Sequence, residues 1–336
     1  MLEGEWEPQV YLNQFLKNKS LEFENSLGEY ELIQEYFSDI GSSYLKKNGI
    51  SLSIGDDATL INTPENKDSV QSVDTALEGV HFFNWMEPKD IAYRSVAIAL
   101  SDLAACGASP SWFMLSITLK DKSKDWLTSF RQGLIDVSDE FKIPLIGGDT
   151  TRGGLSITVH VGGIVDRGKF ISRKGAKEGD LIFLSGSIGS ATNDLTSLRK
   201  EKKGFKRNNS RYLRPKARIS IGKEIIGIAN SAIDISDGLI QDLQHICKES
   251  NLGANVYLKD IPFYDLKRAK IEYINSGDDY EICFTADPLQ KKRINKISKD
   301  LNIPITVIGE TVKGREVRVI SEDGLELEIE SGYKHF

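Results

Sequence analysis

Apolar stretches in this chain end again and again on short turns that carry aspartate. The set is Gly55-Asp56-Asp57, Val73-Asp74-Thr75, Gly147-Gly148-Asp149-Thr150-Thr151, Asp234-Ile235-Ser236-Asp237-Gly238 and Gly277-Asp278-Asp279, with Asp102 near the end of an otherwise apolar helical run. One such turn means little, because turns favour Asp and Gly for backbone reasons. Six sites constrain the chain more tightly. It must build sheets whose strand ends present carboxylates, and carboxylates brought together repel unless cations separate them. Magnesium suits such a place best, since it takes one or two carboxylates and completes its octahedron with water and phosphate oxygens.

The pattern between the turns predicts the elements. Leu32, Ile33, Tyr36, Phe37 and Ile40 have helical spacing, and the segments 88–108 and 124–141 read as longer helices. Segments 51–61, 69–77, 112–119, 144–154 and 155–165 read as strands, the first broken by its acidic turn. The second half opens with a strand in 177–186. A helix in 218–229, a strand–turn–helix in 231–250, and strands near 282–286 and 303–312 follow. Strands and helices alternate without the even rhythm of a doubly wound sheet. The expected class is α+β, mixed α/β, in two domains, as 336 residues allow. The expected divisions are an extension over 1–27, a first domain over 28–165 and a second over 166–336. The polar, basic stretch 193–214 reads as a solvated surface loop or frayed helix end, or else as a flap near an anionic ligand.

Several classes are disfavoured. A net charge of −6 argues against broad nucleic-acid or anionic-membrane binding. No run of apolar residues is long enough to span a bilayer, and the first residues lack the basic and apolar regions of a secretory signal. A cytoplasmic location is expected. Cys106, Cys247 and Cys283 form no CxxC pair, and His81, His160, His245 and His335 form no HExxH. There is no GxxxxGK[ST], and Gly186-Ser187-Ile188-Gly189-Ser190 resembles a phosphate cradle only weakly. What remains is a magnesium-rich phosphate site built mainly from aspartates, whose natural chemistry is phosphoryl transfer from a nucleotide.

The stretches IGDDATLI (54–61), SVDTALEGVHF (72–82), ALSDLAACGASP (99–110), IGGDTTRG (146–153), SRKGAKEGD (172–180), SAIDISDGLIQDLQHI (231–246), SGDDYEICFT (276–285) and GYKHF (332–336) occur in this order. Together they resemble the bacterial thiamine-monophosphate kinases, a branch of the superfamily of aminoimidazole ribonucleotide synthetase and selenophosphate synthetase. The resemblance covers about nine-tenths of the chain, from Gly28 on. It implies ATP-dependent phosphorylation of thiamine monophosphate to thiamine diphosphate, by direct in-line transfer assisted by several magnesium ions, with ATP as co-substrate. It implies an N-terminal domain that pairs with its twin into a barrel-like homodimer and a C-terminal α/β domain beside the cleft.

By position, the resemblance places the magnesium ligands on Asp57, Ser72, Asp74, Asp102, Asp149, Asp234 and Asp237. ATP contacts fall on Gly148, Asp149, Arg173 and Ser236, and thiamine phosphate contacts on His81, Asp278 and Tyr333. Val73 stands where relatives often have threonine, so only its carbonyl could ligate. Asp278 stands where relatives usually have the longer glutamate. Two alternatives stay open: another ATP-using member of the superfamily, and a non-catalytic magnesium–nucleotide sensor.

Overall fold

A computed structural model describes residues 28–120, 123–200, 210–264 and 270–329. Tyr333 and the extension over 1–27 lie outside the described residues. The first half runs α1 (Glu29–Tyr36), β1 (Ile50–Leu52), β2 (Leu60–Ile61), β3 (Lys67–Leu77), α2 (Pro88–Ala105), β4 (Ser109–Leu119), α3 (Lys124–Phe141), β5 (Leu145–Arg152) and β6 (Ser156–Asp166). The second half runs β7 (Leu181–Ser185), α4 (Ser190–Lys200), α5 (Ile219–Glu224), β8 (Ser231–Asp234), α6 (Leu239–Ser250), β9 (Gly253–Tyr257), α7 (Lys270–Ile274), β10 (Ile282–Ala286), α8 (Lys291–Leu301), β11 (Ile305–Val312), β12 (Val317–Ile320) and β13 (Glu326–Leu327). The mixed α/β class is thus the one found.

The first sheet has the order β3-β6-β4-β5, so β3 and β5 are its edges. Period-two burial divides its faces. Val70, Ala76, Phe113, Leu115, Ile117, Ile157, Val159 and Val161 turn inward against α2, and Val73 and Leu77 stay exposed on the other face. The hairpin of β1 and β2 covers one corner of that outer face through Ile50, Trp112 and Ile146.

The second sheet has seven strands in the order β13-β12-β9-β11-β7-β10-β8. Both of its faces are covered. Ile182, Leu184, Ile233 and Cys283 pack with Leu243 and Ile246 of α6. Phe183, Ala232, Ile282 and Phe284 pack with Ile221 of α5 and Ile294 of α8. Strands buried on both faces read as continuous apolar runs, which is what LIFLS and ICFTA are.

Helix α2 is the seam between the halves. It is hidden on nearly every side, as its run of alanines, isoleucines and leucines requires. Small residues let α5 cross it closely: a Cβ on Gly222 would lie 1.9 Å from the Ala104 carbonyl oxygen. Gly222→Ala should therefore force the two helices apart and cost about 1–3 kcal/mol, the usual range for overpacking. Urea unfolding would show it, and an unchanged midpoint would mean that the seam yields freely.

Of the stretch 193–214, residues 201–209 lie outside the described residues. Residues up to Lys200 continue α4, and Tyr212 and Leu213 are buried. Arg214 pairs with Asp90 and Asp136, and Arg211 with Glu281. The helix expected over 218–229 ends at Glu224, and strands β9, β12 and β13 and helix α8 had not been anticipated.

Candidate active site

Helix α2 presents Arg94, Ile98 and Asp102 at four-residue intervals, one above another on a single face. Opposite Asp102, the inward face of β3 supplies Ser72 and Asp74, and the end of β8 supplies Asp234. The Ser72 hydroxyl donates to Asp102 Oδ2. Burial and the Asp102 charge push the Asp74 carboxyl up to about 6. Asp234 is also raised, first by burial and then by Asp102. No positive side chain is among the leading influences on either one.

Two cavities flank this acidic wall and share Asp102 and Asp234. The first, about 520 Å³, is lined by Ser72, Cys106, Phe170, Arg173 and His245 among others. The second, about 400 Å³, is lined by Asp74, His81, Ser236, Asp237, Asp278 and Tyr280 among others. The metal, nucleotide and acceptor residues expected from the resemblance are thus adjacent here. Asp57, Gly148 and Asp149 are elsewhere, in a third cavity of about 800 Å³ at the β5 edge.

The β register explains that division. Thr75, Thr158, Ser116 and Asp149 form one row across the sheet. Three strand spacings put Asp149 about 14 Å from Thr75. It also lies on the outer face, opposite to Asp74. Within one chain the two aspartates cannot share an ion. Consistently, among the described residues no three acidic, histidine or cysteine side chains converge enough to enclose a metal.

The loops are held by two buried carboxylates, Asp242, which the sequence did not single out, and Asp279 of the last acidic turn. Asp242 Oδ2 accepts from the backbone amides of Ser236, Asp237 and Gly238 at 2.9, 3.1 and 3.2 Å, which fixes the acidic turn before α6. Burial raises its carboxyl to about 7, against the lowering effect of those amides. An acid in the first turn of a helix was the available signal. Asp279 accepts from the amide of Gly189 at 2.8 Å, so the turn that weakly resembled a phosphate cradle is occupied by an internal carboxylate. Asp278 itself has φ +61, a left-handed conformation uncommon for a residue with a Cβ. Such strain tends to collect where a site needs it.

Two family models match the chain. One described as "AIR synthase related protein, N-terminal domain" matches residues 55–165, and its C-terminal counterpart matches 177–322. A thiamine-monophosphate kinase of Haemophilus influenzae is 39% identical over 93% of this chain and 98% of its own length. The chain belongs to the thiamine-monophosphate kinase family. Solved structures of this family have the same fold. The thiamine-monophosphate kinase of Stenotrophomonas maltophilia K279a matches with a TM-score of 0.78 at 37% identity, over 84% of this chain and 94% of that one. AaThiL, complexed with AMPPCP and TMP, matches with a TM-score of 0.72 at 29% identity, over 94% and 100%. The chain is accordingly a kinase. Among the described residues no helix is long and apolar enough to cross a membrane.

Proposed function

We propose that this kinase transfers the γ-phosphoryl group of ATP to thiamine monophosphate, giving thiamine diphosphate and ADP. The observation that carries the reading is the pair of cavities meeting at Asp102 and Asp234. The nucleotide takes the cavity with Arg173, whose guanidinium suits phosphate oxygens. Thiamine monophosphate takes the cavity with His81 and Asp278, and Ser236 and Asp237 line its wall. His81 Nδ1 accepts from the Leu77 amide at 3.1 Å, so the neutral ring carries its proton on Nε2.

Asp74, Asp102, Asp234, Asp237 and Ser72 are the residues that would hold magnesium. The donor chemistry fits, hard oxygens that repel one another. Among the described residues no three of the acidic side chains enclose an ion by themselves, so phosphate oxygens or a second copy would complete its shell. When bound, magnesium would neutralise phosphate charge between donor and acceptor. The acceptor phosphate is already an anion at neutral pH, so the chain needs no strong base. Its work is to align the two substrates in line, which lowers the entropy lost on reaching the transition state.

A homodimer completes the set. The β3 and β5 edges have no strand partner among the described residues. A second copy pairing its β5 edge with β3 brings an Asp57–Gly148–Asp149 corner toward the Asp74 edge and covers the exposed Val73 and Leu77. The two halves of each chain then act as separate domains, dividing near residue 165. The supply of ATP places the reaction in the cytoplasm.

The test is magnesium-dependent ADP release against thiamine monophosphate, thiamine and aminoimidazole precursors. Thiamine monophosphate should be the preferred acceptor, with thiamine slower by about 10²-fold or more, because the site's phosphate contacts go unused. Equal turnover of thiamine would refute the acceptor assignment. ATP binding without turnover of any acceptor would favour the sensor.

A further inference from the structure

Arg94 is a permanent cation only 3% exposed, set in the middle of the apolar helix α2. Each of its three guanidinium nitrogens donates. Nε donates to the His81 carbonyl oxygen at 3.2 Å, Nη1 to the Tyr212 carbonyl oxygen at 2.7 Å and Nη2 to Asp278 Oδ1 at 2.6 Å. Cζ lies 4.2 Å from the centre of the Tyr212 ring. The Tyr212 hydroxyl closes the ring of contacts by donating to the same His81 carbonyl at 3.2 Å. Asp278 Oδ1 also accepts from the Tyr280 hydroxyl at 3.0 Å. Both bonds fall on Oδ1, which leaves Oδ2 for a ligand in the cavity that Asp278 lines.

Three segments far apart in sequence thus meet on one side chain: the loop after β3, the segment before α5 and the turn before β10. Two of them carry residues that face the acceptor cavity. We infer that Arg94 is the positioning residue for the acceptor, setting the His81 loop and the Asp278 carboxylate at a fixed separation across the seam between the halves. The inference rests on the assignment of that cavity to thiamine monophosphate. Arginine is required because the three acceptors lie in three directions in the plane of a fork, which a single ammonium cannot satisfy together. Arg94 also sets a positive charge against Asp278, on a cavity wall otherwise lined by Asp74, Asp102 and Asp234. The nucleotide cavity receives nothing from it.

The experiment is steady-state kinetics of the full chain with Arg94→Lys and Tyr212→Phe, each acceptor and ATP varied in turn, with melting temperatures recorded. Arg94→Lys should raise KM for thiamine monophosphate by about 10- to 100-fold, the loss of one to two charge-assisted hydrogen bonds. KM for ATP should stay within about twofold, a split that a general loss of structure would not produce. Tyr212→Phe removes one hydroxyl and should raise the acceptor KM by about 3- to 10-fold. It decides the question if Arg94→Lys does not fold. Combined with Asp278→Asn, Arg94→Lys should add less than its own single loss, because the fork acts through that carboxylate. Equal changes in both KM values, or none in either, in an active and folded background would overturn the inference alone. A folded wild-type chain that does not turn over thiamine monophosphate would overturn the functional reading and this inference with it.

Discussion

Asp102→Asn should lower turnover by two to three orders of magnitude, the usual loss when one preorganised electrostatic group is removed from a transition state. The substitution keeps the shape of the side chain and removes one charge from the wall shared by the two cavities. Its effect on the metal-free protein should have the opposite sign. Asp102 repels Asp74 and Asp234. Each close pair costs about 1 kcal/mol at an effective dielectric typical of protein surfaces after relaxation. Without magnesium the variant should therefore melt at the same or a higher temperature than wild type.

The pH dependence follows from the same repulsion. The Asp74 carboxyl titrates at about 6 in the folded chain, above its ordinary value near 3.8. A raised folded pKa gives a stabilising contribution that is complete below pH 4 and is lost as pH rises through 6. Metal-free wild type should lose stability between pH 4 and pH 7, and Asp102→Asn should lose less. With magnesium and ATP the order of the two proteins should reverse, since ligand at 100 times its dissociation constant adds about 2.7 kcal/mol to the native state. A melting series with and without magnesium and ATP, alongside kinetics, reads all three effects. Near-normal turnover with an unchanged ligand-induced shift would mean that Asp102 lies outside the metal site.

Glu281→Ala should be the most destabilising single change in the second half, at about 3–5 kcal/mol. The Glu281 side chain is only 1% exposed and meets two arginines. Arg218 forks onto both carboxylate oxygens, with its Nε at 2.6 Å, and Arg211 reaches it at 3.1 Å. The Ser185 hydroxyl donates to it as well. Removing the carboxylate leaves the buried Arg218 guanidinium beside a sheet core without its ion-pair partner, while Arg211 keeps Asp279 and Asp194 nearby, and that desolvation, more than the lost attraction, sets the cost. The segment that carries Tyr212 should loosen with it. Urea unfolding followed by circular dichroism gives the number. A loss under about 1 kcal/mol would show that water replaces the carboxylate.

Much of the local structure was legible in the chain itself. Period-two runs such as SVQSVDTAL and period-3.6 runs such as KDWLTSFRQGLIDVSDEF encode which face each element buries, because only neighbouring residues are compared. The acidic turns were legible for the same reason, since Asp and Gly there serve both the backbone and the chemistry. The helix α8 was missed because its single apolar face, Ile294 and Ile297, is narrow in a run of lysines.

Arg211 and Arg214 lie in a stretch that looked solvated because their partners Asp90, Asp136 and Glu281 are distant in sequence. Only folding puts an acid beside each of these two arginines. Arg94 escaped notice for a related reason. Its spacing to Asp102 marks a shared helix face, but the three oxygens it serves come from three separate segments. The aspartates show the division most plainly. Their presence and number are properties of the sequence, but Asp74 and Asp149, read there as turn residues, lie inside β3 and β5. Which of them can act together was decided by strand order and register, which put Asp74 on the covered face of the first sheet and Asp149 on the open face three strands away. A shift of one residue in a strand exchanges its faces, and no local pattern of apolar residues reports how far apart two edges of a sheet will lie.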